Sequence, residues 1–167
     1  MCIRDRIENY ALQIFDAMKK FHGLGTRERL LLQIASILHD CGKFISLRDS
    51  SACAYNIIMA TEIIGLSHAE REIVAEVVRC NLDAFRYGEG SIRAGKLTAM
   101  LRLANAMDRS HHGRLDDGKL QVKGNKLIIS TSYAGNLALE TMAVEDKADF
   151  FEEMFGIRPE IRQKRRV

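Results

Sequence analysis

Apolar residues recur at helical spacing over most of the chain and give way to strand-like runs only near its end. Ile7, Ala11, Leu12, Ile14, Phe15 and Met18 mark a first helix from Ile7 to Phe21, and His22-Gly23-Leu24-Gly25 ends it. Thr26 is placed to cap a second helix, whose stretch Leu30–Leu38 is apolar nearly all round, as a central buried helix would be. A third helix is predicted over Ser51–Ile64, closed by Gly65. Ser67-His68-Ala69-Glu70 has the spacing of a capping box opening a fourth, which runs to about Leu82. Asp83–Gly90 reads as a loop, and a fifth helix starts near Ser91 and reaches Asp108.

Beyond that point Lys119–Lys123 and Lys126–Ser130 are β-rich runs joined by Gly124-Asn125, a two-residue hairpin signal. Leu137–Val144 fits a third strand, Glu145–Phe155 an amphipathic helix ended by Gly156, and Ile157–Arg162 a last short strand. The expected fold is mainly α: an HD-like bundle of about five helices over residues 7–112, then a small α+β subdomain with a β-hairpin over residues 113–162. Gln163–Val167 reads as a frayed basic end.

Composition narrows the class. The chain has 167 residues, enough for one real core, and its single proline, absent tryptophan and 7% aromatics favour helices. Cys2, Cys41, Cys53 and Cys80 are scattered with no CxxC pair, so they are expected to be reduced thiols in a cytoplasmic protein. No apolar run is long enough to span a bilayer. The net charge of +3 permits a polyanionic partner without demanding one. Met18, Met59, Met100 and Met107 are expected to fill the core. The opening Met1–Arg6 resembles a translated sequencing-library adapter, so the natural chain is expected to extend further upstream.

The candidate chemistry centres on His39-Asp40. An adjacent His and Asp at a helix end can ligate one divalent metal, with the carboxylate free to bridge a second ion or orient a water. Such a centre needs further ligands from other helices, and the chain offers few: His22, His68, His111, His112 and Asp108. The competing reading is that the pair satisfies backbone groups at the end of a buried helix.

At these residues the chain resembles a family. LLLQIASILHDCGKFIS resembles the second-helix signature of HD-type helical domains. More narrowly, LHDCGKFIS, GLSHAEREIVAEVVR, MLRLANAMDRSH and LALETMAVEDKADFFEEMFG, in that order, resemble the C-terminal half of the exopolyphosphatase / guanosine pentaphosphate phosphohydrolase family, from about Ala11 to the end. The resemblance implies two actin-like domains upstream, with the phosphate-removing active site between them and Mg²⁺ balancing the phosphates there. Neither domain is in this sequence, so no cofactor is expected for this part of the chain. It also implies inorganic polyphosphate or guanosine pentaphosphate as partner, the actin-like domains of the parent chain as neighbours, and a homodimer.

Several positions depart from a metal-dependent HD phosphohydrolase. The first helix carries no His before its end, the stretch after the pair reads Arg48-Asp49-Ser50-Ser51-Ala52-Cys53-Ala54, and Arg79-Cys80-Asn81-Leu82 follows the fourth helix where a His is expected. Asn105 takes the late ligand position with Asp108 one turn on, and an amide brings no charge to a hard cation. His39, Asp40 and Asp108 are therefore expected to be a degenerate metal set.

A polyanion needs Arg and Lys on one face. The candidates are Lys43, Arg48, Arg79, Arg102 and Arg109, with Arg86 and Arg93 beside them; Arg102 and Arg109 lie two helical turns apart on one face. No aromatics interleave these residues, which argues against nucleic acid. The expected function is an accessory domain of a cytoplasmic exopolyphosphatase-family enzyme that aids polyphosphate binding or dimerisation. The alternatives are a stand-alone metal-dependent phosphohydrolase using His39, Asp40 and Asp108 on a nucleotide, and a purely structural interface domain.

Overall fold

The computed structural model describes residues 3–85 and 91–164. Arg86, part of the expected 83–90 loop, and the ends carrying Cys2 and Arg165–Val167 lie outside the described residues.

Among the described residues, seven α-helices and three strands follow one another. The first expected helix is two, α1 (Ile3–Ala17) and α2 (Lys19–His22), because Met18 leaves helical geometry between them. Helix α3 spans Thr26–Leu38; Gly25 takes the cap position expected of Thr26, and its N–H donates to Glu28 Oε2 at 2.8 Å. A 3-10 turn, Cys41–Phe44, leads into α4 (Ser50–Ala60), which stops before the expected Ile64 because Thr61 is extended. Helix α5 (His68–Leu82) opens with the expected capping box, Ser67 Oγ accepting from Glu70 N–H and Glu70 Oε2 from Ser67 N–H. Ser91 caps α6 (Ile92–Met107) in the same way through Ala94 N–H.

The central helix is α6, not α3. Leu30 and Ile37 leave α3 partly in solvent, whereas α6 buries residues on every side and touches α1, α3, α5 and α7. Its small residues allow the crowding: a Cβ on Gly95 would sit 2.8 Å from Met154 Cε and 3.1 Å from Phe85 Cζ. Met18, Met100 and Met107 are fully buried and Met59 is half-buried, as core filling requires.

Strands β1 (Lys119–Lys123) and β2 (Lys126–Thr131) form the expected hairpin around Gly124-Asn125. Leu137–Val144 is not a strand. It is the first half of α7 (Ala138–Phe155), in which Glu140, Val144, Ala148 and Phe151 fall on one buried face at helical spacing. The helix carries the chain across to β3 (Arg158–Gln163), which pairs parallel to β2, so the sheet order is β1-β2-β3. One hydrophobic cluster runs through the bundle and into Leu127, Ile129, Val144 and Phe151, fixing α7 beside α6. No helix among the described residues is long and apolar enough to cross a membrane. The turn after α3 is different in character: Phe44, Ile45 and Leu47 stand exposed.

Candidate functional site

The end of α3 places the His-Asp pair. Gly42 lets the 3-10 turn lie directly on α4, since a Cβ there would fall 1.8 Å from the Ser50 carbonyl oxygen. His39 is buried, and its Nδ1 is 2.6 Å from the Ser36 carbonyl; a ring nitrogen facing a carbonyl carries the proton and donates. Nε2 then faces Asp40 Oδ2 at 3.4 Å, while Asp40 Oδ1 pairs with Lys43 Nζ at 2.7 Å. The i,i+3 pair with Lys43 turns an acidic corner into a mixed one.

A cleft of about 670 Å³ opens beside this corner. His39, Asp40 and Lys43 line one side, and Asn81, Leu82, Arg102, Asn105, Arg109 and His111 come from the ends of α5 and α6. Helix α7 supplies Leu139, Met142, Ala143, Asp146 and Lys147. Lys43, Arg102, Arg109 and Lys147 outnumber Asp40 and Asp146, so the cleft collects positive charge from a chain whose net charge is only +3. Two of these cations are partly neutralised by neighbours, Lys43 by Asp40 and Lys147 by Asp146 at 2.7 Å. Arg102 also has structural work: its Nε and Nη2 donate to the Cys80 carbonyl at 2.9 and 2.6 Å, closing the end of α5, and its guanidinium lies 4.7 Å over the Phe150 ring. Arg109 is an exposed cation on the cleft, two residues beyond the end of α6.

The structure thus brings His39, Asp40, Lys43, Arg102 and Arg109 together and leaves the other candidates elsewhere. Arg48 is exposed in the turn before α4 and does not line the cleft. Arg79 is paired with Glu76, Nη2 to Oε1 at 2.7 Å, and Arg93 with Glu28. Burial raises the Glu76 carboxyl, but the hydrogen bonds from Arg79 and Cys80 outweigh it and hold Glu76 below its ordinary range. Burial, and after it the same carboxylate, push the Cys80 thiol up to about 12.

Asp108 does not join His39 and Asp40. Its carboxylate is fully buried, with Oδ2 3.0 Å from Arg6 Nε and Oδ1 accepting from Gly113 N–H at 3.1 Å. Both oxygens are occupied, and Asp108 does not line the cleft. At the late ligand position Asn105 donates to Asn81 Oδ1 at 2.8 Å instead of facing an ion. Among the described residues no three His, Cys, Asp or Glu side chains converge as a resident metal would need, so the donor set at His39-Asp40 does not fit one.

Sequence reasoning missed the whole α7 wall. Met142, Ala143, Asp146 and Lys147 share a helical face, but that face disappears when residues 137–144 are read as a strand. The stretch Arg79–Leu82 was marked only for lacking a His, and nothing local paired its Asn81 with Asn105, 24 residues on.

A family model described as Ppx/GppA phosphatase, domain III, matches residues 3–146. No curated protein matches the chain.

Proposed function

The chain belongs to the Ppx/GppA phosphatase family, as its domain III, and on that premise we propose that the α3–α5–α6–α7 cleft binds a phosphate chain for the parent phosphatase. The domain acts as an accessory: it holds inorganic polyphosphate or a guanosine polyphosphate while terminal phosphate is removed at an active site in other domains of the parent chain, where any Mg²⁺ would act.

The observation that carries the reading is the convergence of Lys43, Arg102, Arg109 and Lys147 on one open cleft, with the rest of the surface charge near balance. Phosphate oxygens accept strong charge-assisted hydrogen bonds from such groups, and a flexible polyanion needs several of them along a groove rather than one deep pocket. A metal-dependent hydrolysis at His39 draws no such support, because Asp108 is held by Arg6 and Gly113.

The test is direct binding of inorganic polyphosphate at low salt. Arg109→Ala, which breaks no side-chain hydrogen bond or ion pair among the described residues, is expected to weaken binding about fivefold, the exposed end of the range for a charge-assisted contact. Arg48→Ala, off the cleft, is expected to change little. Equal losses for the two variants would mean that only general surface charge is involved.

A further inference from the structure

The turn after α6 carries Arg109 and His111 into the cleft on either side of Ser110, and it is gripped from behind by two helices. From α1, Arg6 binds Asp108 at its start and donates through Nη2 to the His111 carbonyl at 2.8 Å. From α7, Glu140 accepts the Ser110 N–H through Oε1 at 3.2 Å, while Oε2 lies 3.6 Å from Arg114 Nη1. Glu140 is completely buried and does not itself line the cleft, although Leu139, Met142 and Ala143 of the same helix do. Burial alone would raise its carboxyl; hydrogen bonding from Ser110 and the Arg114 charge prevail, and it is held below the ordinary carboxylate range, ionised.

The turn needs this hold. His111 has φ +59°, a conformation that non-glycine residues adopt rarely and keep only where surrounding contacts impose it. A buried carboxylate is also a costly way to fill space, since apolar packing of the same volume avoids its desolvation. A hydrocarbon could neither face the Arg114 guanidinium nor fix the Ser110 amide, the one between two ligand-facing residues.

We propose that Glu140 is a positioning residue for the anion site: it sets Arg109 and His111 in the cleft before ligand arrives, by holding the Ser110 amide from behind. The proposal rests on reading the cleft as a phosphate-chain site. In binding terms, an arginine already placed loses less freedom on contact than one that must be recruited from a mobile turn.

Glu140→Met fills a similar volume without an acceptor, and Glu140→Gln keeps an acceptor oxygen for Ser110. Inorganic polyphosphate binding is measured for both, alone and combined with Arg109→Ala. The expected result is a loss on the order of tenfold for Glu140→Met, near-normal binding for Glu140→Gln, and no further loss when Arg109→Ala is added to Glu140→Met. Unchanged binding by Glu140→Met, or an Arg109→Ala effect of equal size in both backgrounds, overturns the proposal. Should Glu140→Met fail to fold, hydrogen exchange on the unaltered protein decides. The amides of Arg109, Ser110, His111 and Gly113 should be protected without ligand and little changed by it, whereas fast exchange quenched only by polyphosphate overturns the proposal. Failure of the unaltered protein to bind polyphosphate refutes the cleft reading instead, and the exchange of the ligand-free turn still reports whether Glu140 holds it.

Discussion

Removing Arg6 should expose how strongly the cleft's foundation depends on one buried charge. The Arg6 side chain is 11% exposed and that of Asp108 0%, so their 3.0 Å contact is shielded from water and salt. Arg6→Ala leaves the Asp108 carboxylate buried with one remaining donor, Gly113 N–H, and frees the His111 carbonyl. Stranding a buried charge in this way costs about 3–5 kcal/mol. For a chain of this size that is a fall in Tm of roughly 6–20 °C. Arg29→Ala is the matched control: Arg29 meets Asp16 at 2.8 Å, but the two side chains are 37% and 56% exposed, and such pairs are worth about 0–1 kcal/mol. Urea denaturation of both variants, checked for an unchanged m value, measures the difference. The combined Arg6→Met, Asp108→Asn protein should regain much of the loss, because the stranded charge is gone. If Arg6→Ala costs no more than Arg29→Ala, the pair is solvated in solution and the account of the turn after α6 is wrong.

Two further outcomes concern the helical frame. His22 is buried, with Nε2 3.0 Å from the Phe15 carbonyl and Nδ1 accepting from Leu24 N–H at 2.8 Å. Burial holds its pKa below the ordinary 6.5, so between the two values the unfolded chain binds more protons. Stability should therefore be complete above pH 6.5 and fall below it by at most about 1.4 kcal/mol per pH unit from this group; His22→Gln, followed by thermal melts across pH 5–8, should flatten that dependence, and an unaltered slope would refute it. Gly42→Ala should cost about 3 kcal/mol or more, since the 1.8 Å approach of Ser50 O is to backbone that cannot swing aside; equilibrium denaturation within about 0.5 kcal/mol of the unaltered protein would contradict the packing of the turn on α4.

What could be read from the sequence divides along a physical line. Signals closed within a few residues were legible: the Ser67–Glu70 capping box, the Gly124-Asn125 hairpin, and the helix ending in His39-Asp40. Residues 137–144 misled because Leu137, Leu139 and Thr141 alternate in a way a strand would, and only the later Ala148 and Phe151 reveal the helical face. The rank of α6 as the central helix was hidden for a related reason. Burial on all sides flattens its amphipathic pattern, and small residues such as Ala94, Gly95 and Ala99 carry little hydrophobic signal. At the site, Arg102 and Arg109 were legible as a row on one face. The fate of Asp108 was not, because its partner Arg6 is 102 residues away and no local rule pairs them. The His-Asp pair ends α3 as expected, while its surroundings determine its chemistry: Ser36 takes one ring nitrogen, and Lys43 shares the carboxylate with the cleft.

The central claim is that a phosphate chain lies in this cleft and nowhere else on the domain. Titrating isotope-labelled protein with inorganic polyphosphate at low salt, and following backbone amides with the Met142 and Ala143 methyls by NMR, locates the ligand residue by residue. The account predicts shifts confined to Lys43, Arg109, His111, Met142, Ala143 and Lys147, disappearing together as salt is raised. Shifts centred on Arg48, Arg79 or the Arg158–Gln163 strand, with the cleft residues unmoved, would contradict it.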